Sequence, residues 1–321
     1  MTRQSLRAFL QQTKEQLPSE ATEASYFRHA YHGLPSGTAI YNGKVRDMVL
    51  KQDTALMVHS DRLSAFDRAV GLVPYKGMIL AAISQFWFKF LAQQVPNHYL
   101  GSPHPRVLHI KKLKTIKIEV VVRGYLAGSL LRAYQEGTRR IYGIQLPDHM
   151  QPYDAFPQPI LTPTTKAEVY EHDEETSPDQ LIAKGVVSAA QWKQISNLAL
   201  KLFALGQELF LSKGWVLADT KYEFGTDSSG QIFLIDEVHT PDSSRLWQLT
   251  EAGAPPRMFD KELIRTYLQS KGFSGHGEVP KVPAILYVNL TEKYLEVAES
   301  LLGRSLSVDQ ETNLIPPDLL A

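Results

Sequence analysis

Asp219, Lys221 and Glu223 alternate with apolar and aromatic residues in the run WVLADTKYEFG, residues 215–225. A period of two with aromatics, closed by Gly225, argues for a strand that carries all three charged groups on one face. Residues 231–238 read as a second strand, and the polar, Gly-containing segment between the two reads as a hairpin turn. With Ser229-Gly230 as a two-residue loop, Glu223 lies directly opposite Asp236. A register shifted by two keeps Asp236 on the same face. Three carboxylates and one ammonium on an otherwise apolar hairpin permit two readings. One is a solvated face whose charges satisfy each other. The other is a Mg²⁺ site, because Mg²⁺ takes oxygen ligands, commonly one or two carboxylates plus substrate phosphates. The apolar run Ile232–Ile235 argues for a covered strand and favours Glu223 and Asp236 as metal ligands.

Cations recur at two other places. Lys44 and Arg46 share a face of an expected strand beside Asn42-Gly43, a two-residue hairpin signal because both positions tolerate positive φ. Two cations beside a glycine turn suit a triphosphate; a basic edge strand that discourages aggregation is the equal alternative. A P-loop is excluded, since Thr38 stands where glycine is required and Val45 replaces the Ser/Thr. In residues 114–137, Ile118 to Val122 is a buried-strand pattern broken by Arg123-Gly124, and Gly128-Ser129 precedes the helical pattern Leu130, Leu131, Tyr134. A strand that delivers an arginine toward a helix start can bind a phosphate or carboxylate.

The elements that must position these groups are legible in outline. Residues 1–35 begin with a short amphipathic helix (Leu6, Phe9, Leu10), and residues 38–59 read as a three-stranded meander. SDRLSAFDR at 60–68 packs Asp61, Arg62, Ser64, Asp67 and Arg68 around three apolar residues, for which a capped turn is the bland alternative to a functional loop. Helices are expected from Met78 to about Gln94, over 189–213, after Asp260, and over 290–302, each with apolar residues at helical spacing. Residues 143–180 form a long Pro-rich loop. The 321 residues suffice for one large domain or two lobes. Lys plus Arg and Asp plus Glu are both 34, so no bulk field recruits nucleic acid or an anionic membrane, and anionic ligands need locally clustered cations. With no cysteine, disulfides, thiolate metal sites and cysteine nucleophiles are excluded. No apolar run approaches membrane-spanning length and the N-terminus lacks a signal core, so the cytoplasm is the expected compartment.

LADTKYEFG and DEVHTPDSSRLW resemble the two C-terminal signatures of the SAICAR synthetase family. EVVVRG followed by Gly128-Ser129 resembles its N-terminal signature, with Lys117 where the family usually has proline. GKVR resembles its ATP-covering hairpin, SDRLSAFDR its acidic Ser-Ala loop, and TPTTKAEVYEHDEETS a segment bordering its substrate pocket. The resemblance runs from about Tyr41 to Leu302. It implies an α+β, bilobal, ATP-grasp-like architecture with ATP in the cleft between lobes. Residues 1–112 would be a β-rich ATP-covering lobe, 113–285 a larger α/β lobe with substrate and metal sites, and 286–321 a C-terminal helix and tail.

The implied reaction joins L-aspartate to the carboxylate of 5-aminoimidazole ribonucleotide carboxylic acid (CAIR), giving SAICAR, ADP and phosphate in purine biosynthesis. ATP and Mg²⁺ are the implied cofactors, and the chain would be a monomer or small homo-oligomer. Lys221, Asp219 and Arg245 become the catalytic candidates. Gly43, Lys44, Arg46, Lys221, Glu223 and Asp236 are expected on ATP, the last two through the metal. Asp61, Ser64, Asp67, Arg123, Ser129, Lys166, Asp173 and Arg245 are expected on the substrates. The alternative for Arg245 is a structural pair with Asp242 or Asp236. Rival functions are a small-molecule kinase, a different ATP-dependent carboxylate–amine ligase, and a nucleotide-sensing module; the HRD and DFG motifs of protein kinases are absent.

Overall fold

A computed structural model describes residues 39–166, 174–250, 255–307, 315 and 317–320. The meander expected over 38–59 forms as β1 (Ala39–Asn42), β2 (Arg46–Leu50) and β3 (Thr54–His59). Next come the hairpin β4 (Arg62–Ala65) and β5 (Arg68–Leu72), helix α1 (Lys76–Leu91), and strands β6 (Tyr99–His104) and β7 (Val107–Lys111). The antiparallel sheet runs β1-β2-β3-β7-β6. Val49, Leu56, Val58 and Val107 form a core cluster with Ile315 and Leu320. SDRLSAFDR is therefore a hairpin and not a capped turn. Phe66 (φ 52°) and Asp67 (φ 58°) make its two-residue tip, a left-handed pair that matches strand twist.

The other sheet follows the same logic with longer strands. In chain order its elements are β8 (Lys114–Tyr125), α2 (Gly128–Gln135), the short hairpin β9 (Arg140–Ile141) and β10 (Ile144–Gln145), β11 (Ala155–Thr165), and helices α3 (Pro178–Ala183) and α4 (Ala189–Ser212). They continue with β12 (Val216–Thr226), β13 (Ile232–Ile235), β14 (Ser244–Gln248) and β15 (Arg257–Met258). The sheet order is β11-β8-β12-β14-β15, with β13 pairing the far half of β12. Part of the Pro-rich stretch expected as loop is thus strand. Pro157, Pro159 and Pro163 are tolerated because β11 is an edge.

Helix α4 covers one face of this sheet; a Cβ on Gly124 would come within 3.1 Å of the Phe203 ring. Capping boxes at Ser177 and Ser188 set the starts of α3 and α4.

The chain divides into two compact units. Leu91–Asn97 and Leu113–Met258 make one; the described residues up to Phe90, His98–Lys112 and the described residues from Phe259 onward make the other. This corrects the expected division. Residues 259–285 do not join the second lobe, and the C-terminal stretch is no separate tail. Its helices, α5 (Glu262–Ser270), α6 (Ala284–Leu302) and α7 (Pro317–Leu320), belong with the first sheet. The reason is a buried face on α6, where Tyr287 donates to Val70 O and Thr291 Oγ1 donates to Pro74 O at 2.9 Å.

Candidate active site

Register decides which charges meet. Across β12 and β8, Asp219 faces Arg123, Lys221 faces Val121 and Glu223 faces Glu119; across β12 and β14, Asp219 faces Arg245. β11 adds Thr162 opposite Val121 and Thr164 opposite Glu119. Cross-strand partners share a face, so one side of the sheet collects these groups while Val120, Val122 and Phe224 are buried on the other.

Lys221 is the hub of one cluster. Its Nζ donates to Glu119 Oε1 at 2.7 Å and Glu223 Oε1 at 3.0 Å, and Lys166 pairs with Glu223 Oε2. Burial pushes the Lys221 ammonium down, but Glu223, Glu119 and Asp236 outweigh it and hold its pKa well above the ordinary lysine value. Burial likewise raises Glu223, while Lys221 and Lys166 overcome this and hold it below the ordinary carboxylate range.

Asp236 reaches this cluster by a route that strand alternation does not contain. The β12–β13 loop is Asp227–Gln231, five residues and not two, so Ile235 and not Asp236 stands opposite Glu223. Asp227 builds the loop: its Oδ1 accepts from Ser229 N at 2.9 Å, Ser229 Oγ at 2.7 Å and Gln231 N at 2.9 Å. A one-residue slip would flip Asp236 to the other face. The strand instead ends at Ile235, and Asp236 turns at φ 68° to act on Lys221.

A second cluster centres on Asp219. Its Oδ2 accepts from Arg245 Nη1 at 2.7 Å, its Oδ1 from the Arg245 backbone N at 3.2 Å, and Arg123 Nη1 lies 3.5 Å away. Burial raises the Asp219 carboxyl, but Arg245 and then Arg123 hold it below its ordinary value. Asp219 is thus a partner of Arg245 that the sequence reading did not name. The Arg245 guanidinium lies against Gly128 (φ +59°), where a Cβ would come 2.1 Å from Nη2. Arg245 is therefore placed at the start of α2, beside the exposed Ser129. Arg123 Nε donates to Thr162 Oγ1 at 2.9 Å.

Tyr142 completes this cluster. It sits with Gly143 at the left-handed tip of the β9–β10 hairpin and donates to Glu175 Oε1 at 2.8 Å. Burial pushes its phenol up to about 12, against the pull of the Arg123 charge.

The other unit holds the remaining expected residues. Asn42 pairs with Asp47 and Gly43 N–H donates to Arg46 O at 2.9 Å, so the chain reverses at Lys44-Val45, beyond the expected Asn42-Gly43 turn. Lys44 consequently precedes β2 and does not share a strand face with Arg46; its Nζ pairs with Asp67 Oδ1 at 2.9 Å. Asp61 is withdrawn from solvent. Both its oxygens accept from Arg106 Nη2 at 2.8 Å, and Oδ1 also accepts from Gly77 N at 2.9 Å, so it anchors the start of α1. Ser64 lies in β4 opposite Ala69. Asp173 and the expected N-terminal helix fall outside the described residues.

Among the described residues no group of three or more His, Asp or Glu side chains is placed to hold a metal by itself. A Mg²⁺ here would have to complete its shell with other oxygens, as phosphates do. Among the same residues no helix is long and apolar enough to cross a membrane.

The family model described as SAICAR synthetase matches residues 39–281. The chain belongs to the SAICAR synthetase family. The phosphoribosylaminoimidazole-succinocarboxamide synthase of Legionella pneumophila (strain Paris) is 42% identical over 287 residues, spanning 86% of this chain and 91% of its own length. That of Cytophaga hutchinsonii is 39% identical over 289 residues, spanning 87% and 93%. Among solved structures, the SAICAR synthase from Saccharomyces cerevisiae complexed with SAICAR matches with a TM-score of 0.74. It is 33% identical and covers 86% of this chain and 98% of its own. A SAICAR synthetase in complex with ADP matches with a TM-score of 0.67 at 27% identity, covering 84% and 100%. The α+β, ATP-grasp-like fold implied by the signatures is that of these SAICAR synthetases, and membership makes the chain a carbon–nitrogen ligase of purine biosynthesis.

Glu119, Thr162, Tyr142 and Glu175 escaped sequence reading. Only Glu119 left a signal there: in IEVVVRG it has the same parity as Arg123.

Proposed function

We propose that this chain uses ATP to join L-aspartate to the carboxylate of CAIR through an acyl phosphate, with the two clusters of the second sheet as its working parts. The observation that carries the reading is their juxtaposition: two guanidiniums on Asp219 at the start of α2, and Lys221 among three carboxylates two residues along β12. A carboxylate is a poor acyl electrophile. Its oxygen attacks the γ-phosphorus of ATP as the bond to the ADP oxygen breaks. The aspartate amine then attacks the acyl carbon, loses a proton, and expels phosphate. This chemistry depends on position and charge neutralisation and needs no protein nucleophile.

Arg123, Arg245, Ser129 and the free N–H groups of α2 suit the anionic groups of CAIR. Asp219 stays ionised and works by orienting Arg245. Lys221 stays an ammonium and neutralises charge on the transferring phosphoryl group; it is not a general base. The donor set Glu223 and Asp236 is hard carboxylate oxygen and fits Mg²⁺, which when bound neutralises phosphate oxygens. Gly43, Lys44 and Arg46 are assigned to the ATP phosphates, and Ser64, Asp67, Lys166 and Asp173 to the substrates. No nucleic acid or membrane partner is needed, and a monomer or small homo-oligomer in the cytoplasm suffices.

The test is ADP release from the purified chain with ATP, CAIR and L-aspartate, omitting each in turn. Release that needs all three supports the ligase. Release that continues without an amine would mean a kinase, and no release at all would mean a sensing module.

A further inference from the structure

The residues that follow β3 grip the loop Gly43–Arg46 by its carbonyl oxygens. Arg62 donates from Nη2 to Gly43 O at 3.1 Å and from Nε to Lys44 O at 3.2 Å. Ser60 donates to Val45 O twice, from Oγ at 2.6 Å and from its backbone N at 3.2 Å. Arg46 O accepts the Gly43 N–H. Each of the four loop carbonyls therefore has a donor, and residues 60 and 62 supply three of them. The Arg62 guanidinium is itself held by the buried Asp47 carboxylate, through Nη1 at 3.1 Å and Nη2 at 2.7 Å. At the tip of the same hairpin, Asp67 holds the Lys44 ammonium. Gly43 permits the arrangement, since a Cβ there would come 2.6 Å from Arg46 O.

This pattern has an electrostatic consequence. Carbonyl oxygens repel an anion, while backbone N–H groups and ammoniums attract one. A loop whose carbonyls are all engaged within the protein leaves its N–H side for an anionic ligand. Arginine is suited to the task because one rigid fork serves two carbonyls and a carboxylate together, which a lysine ammonium does not.

We infer that Arg62 is a positioning residue for nucleotide binding. It fixes the carbonyls of residues 43 and 44 inward, so that the Lys44 ammonium and the N–H groups of Lys44 and Val45 face the ATP phosphates, and it does not itself touch the nucleotide. The inference rests on the reading that this loop binds ATP.

The experiment measures Michaelis constants for ATP and L-aspartate, and melting curves, on the full chain and three variants. Arg62→Lys should raise the ATP constant about tenfold while that for aspartate moves less than about twofold. Ser60→Ala, which removes one hydroxyl, should raise the ATP constant about threefold. Lys44→Ala reports on the underlying reading and should raise it as well. A raised ATP constant in Lys44→Ala beside wild-type values in Arg62→Lys and Ser60→Ala would overturn the inference while leaving the ATP loop standing. Equal increases for ATP and aspartate in Arg62→Lys would also overturn it, since a merely structural arginine predicts that pattern. An unchanged Lys44→Ala would remove the ATP reading and the inference together. If Arg62→Lys melts too low to assay, Ser60→Ala decides by the same criterion.

Discussion

Glu119 and Glu223 are direct cross-strand partners on β8 and β12, and the ammonium of Lys221 is bonded to both. Like charges placed opposite one another destabilise a sheet unless a cation lies between them. Lys221→Met should therefore do two things. Ligase turnover should fall by about a hundredfold or more, because a phosphoryl-neutralising charge is lost. One carboxyl of the Glu119–Glu223 pair should also take up a proton at higher pH. A carboxyl whose folded pKa is raised adds stability at low pH that is lost as pH rises. The stability gap between variant and wild type should thus narrow as pH falls from 8 toward 5, which paired melting curves would measure. A gap independent of pH would contradict the role given to Lys221.

Arg245 is held by Asp219 and lies against Gly128 at the start of α2. Arg245→Lys should leave the chain folded and able to bind ATP, yet weaken CAIR binding by about 1.5–3 kcal/mol, since a point charge replaces a two-bond fork. Calorimetry with CAIR beside a melting curve checks this. Wild-type CAIR affinity together with a collapsed melting temperature would make Arg245 purely the structural partner of Asp219.

His59 makes pH dependence visible in the first unit. It is buried, and burial first, then the Arg46 and Lys76 charges, hold its pKa well below the ordinary 6.5. The unfolded chain binds a proton there below about pH 6.5 that the folded chain refuses, so stability should fall as pH drops from 6.5. The expected slope from this group is about 1.4 kcal/mol per pH unit. In urea titrations between pH 7 and 5, His59→Gln should flatten the profile by that amount. An unchanged slope would mean that His59 is protonated in the folded state.

Much of this was legible from residue types, and the failures have definite causes. The parity of Asp219, Lys221 and Glu223 placed them on one face because alternation survives any detail of packing. The opposition of Glu223 and Asp236 was misjudged because Asp227 turns a five-residue loop, and a side chain that organises its own loop leaves no periodic trace. Asn42-Gly43 misled in the opposite direction: a strong turn signal was overridden by Arg62 and Ser60, which pull the carbonyls of the next residues inward. Tyr142 stands just before the Pro-rich stretch, at the tip of a two-residue hairpin too short to leave a periodic pattern, and within that stretch the prolines that looked like loop mark the edge strand β11. The placement of residues from Phe259 onward depends on long-range packing such as Tyr287 against Val70, which no local pattern encodes.

Oxygen tracing tests the acyl phosphate most directly. If a CAIR carboxylate oxygen attacks the γ-phosphorus and the aspartate amine then displaces phosphate, that oxygen leaves bound to phosphorus. CAIR labelled with ¹⁸O in its carboxylate, turned over with ATP and L-aspartate and analysed by mass spectrometry, should give inorganic phosphate carrying one ¹⁸O for each SAICAR formed. Phosphate free of label alongside normal SAICAR formation would contradict the account.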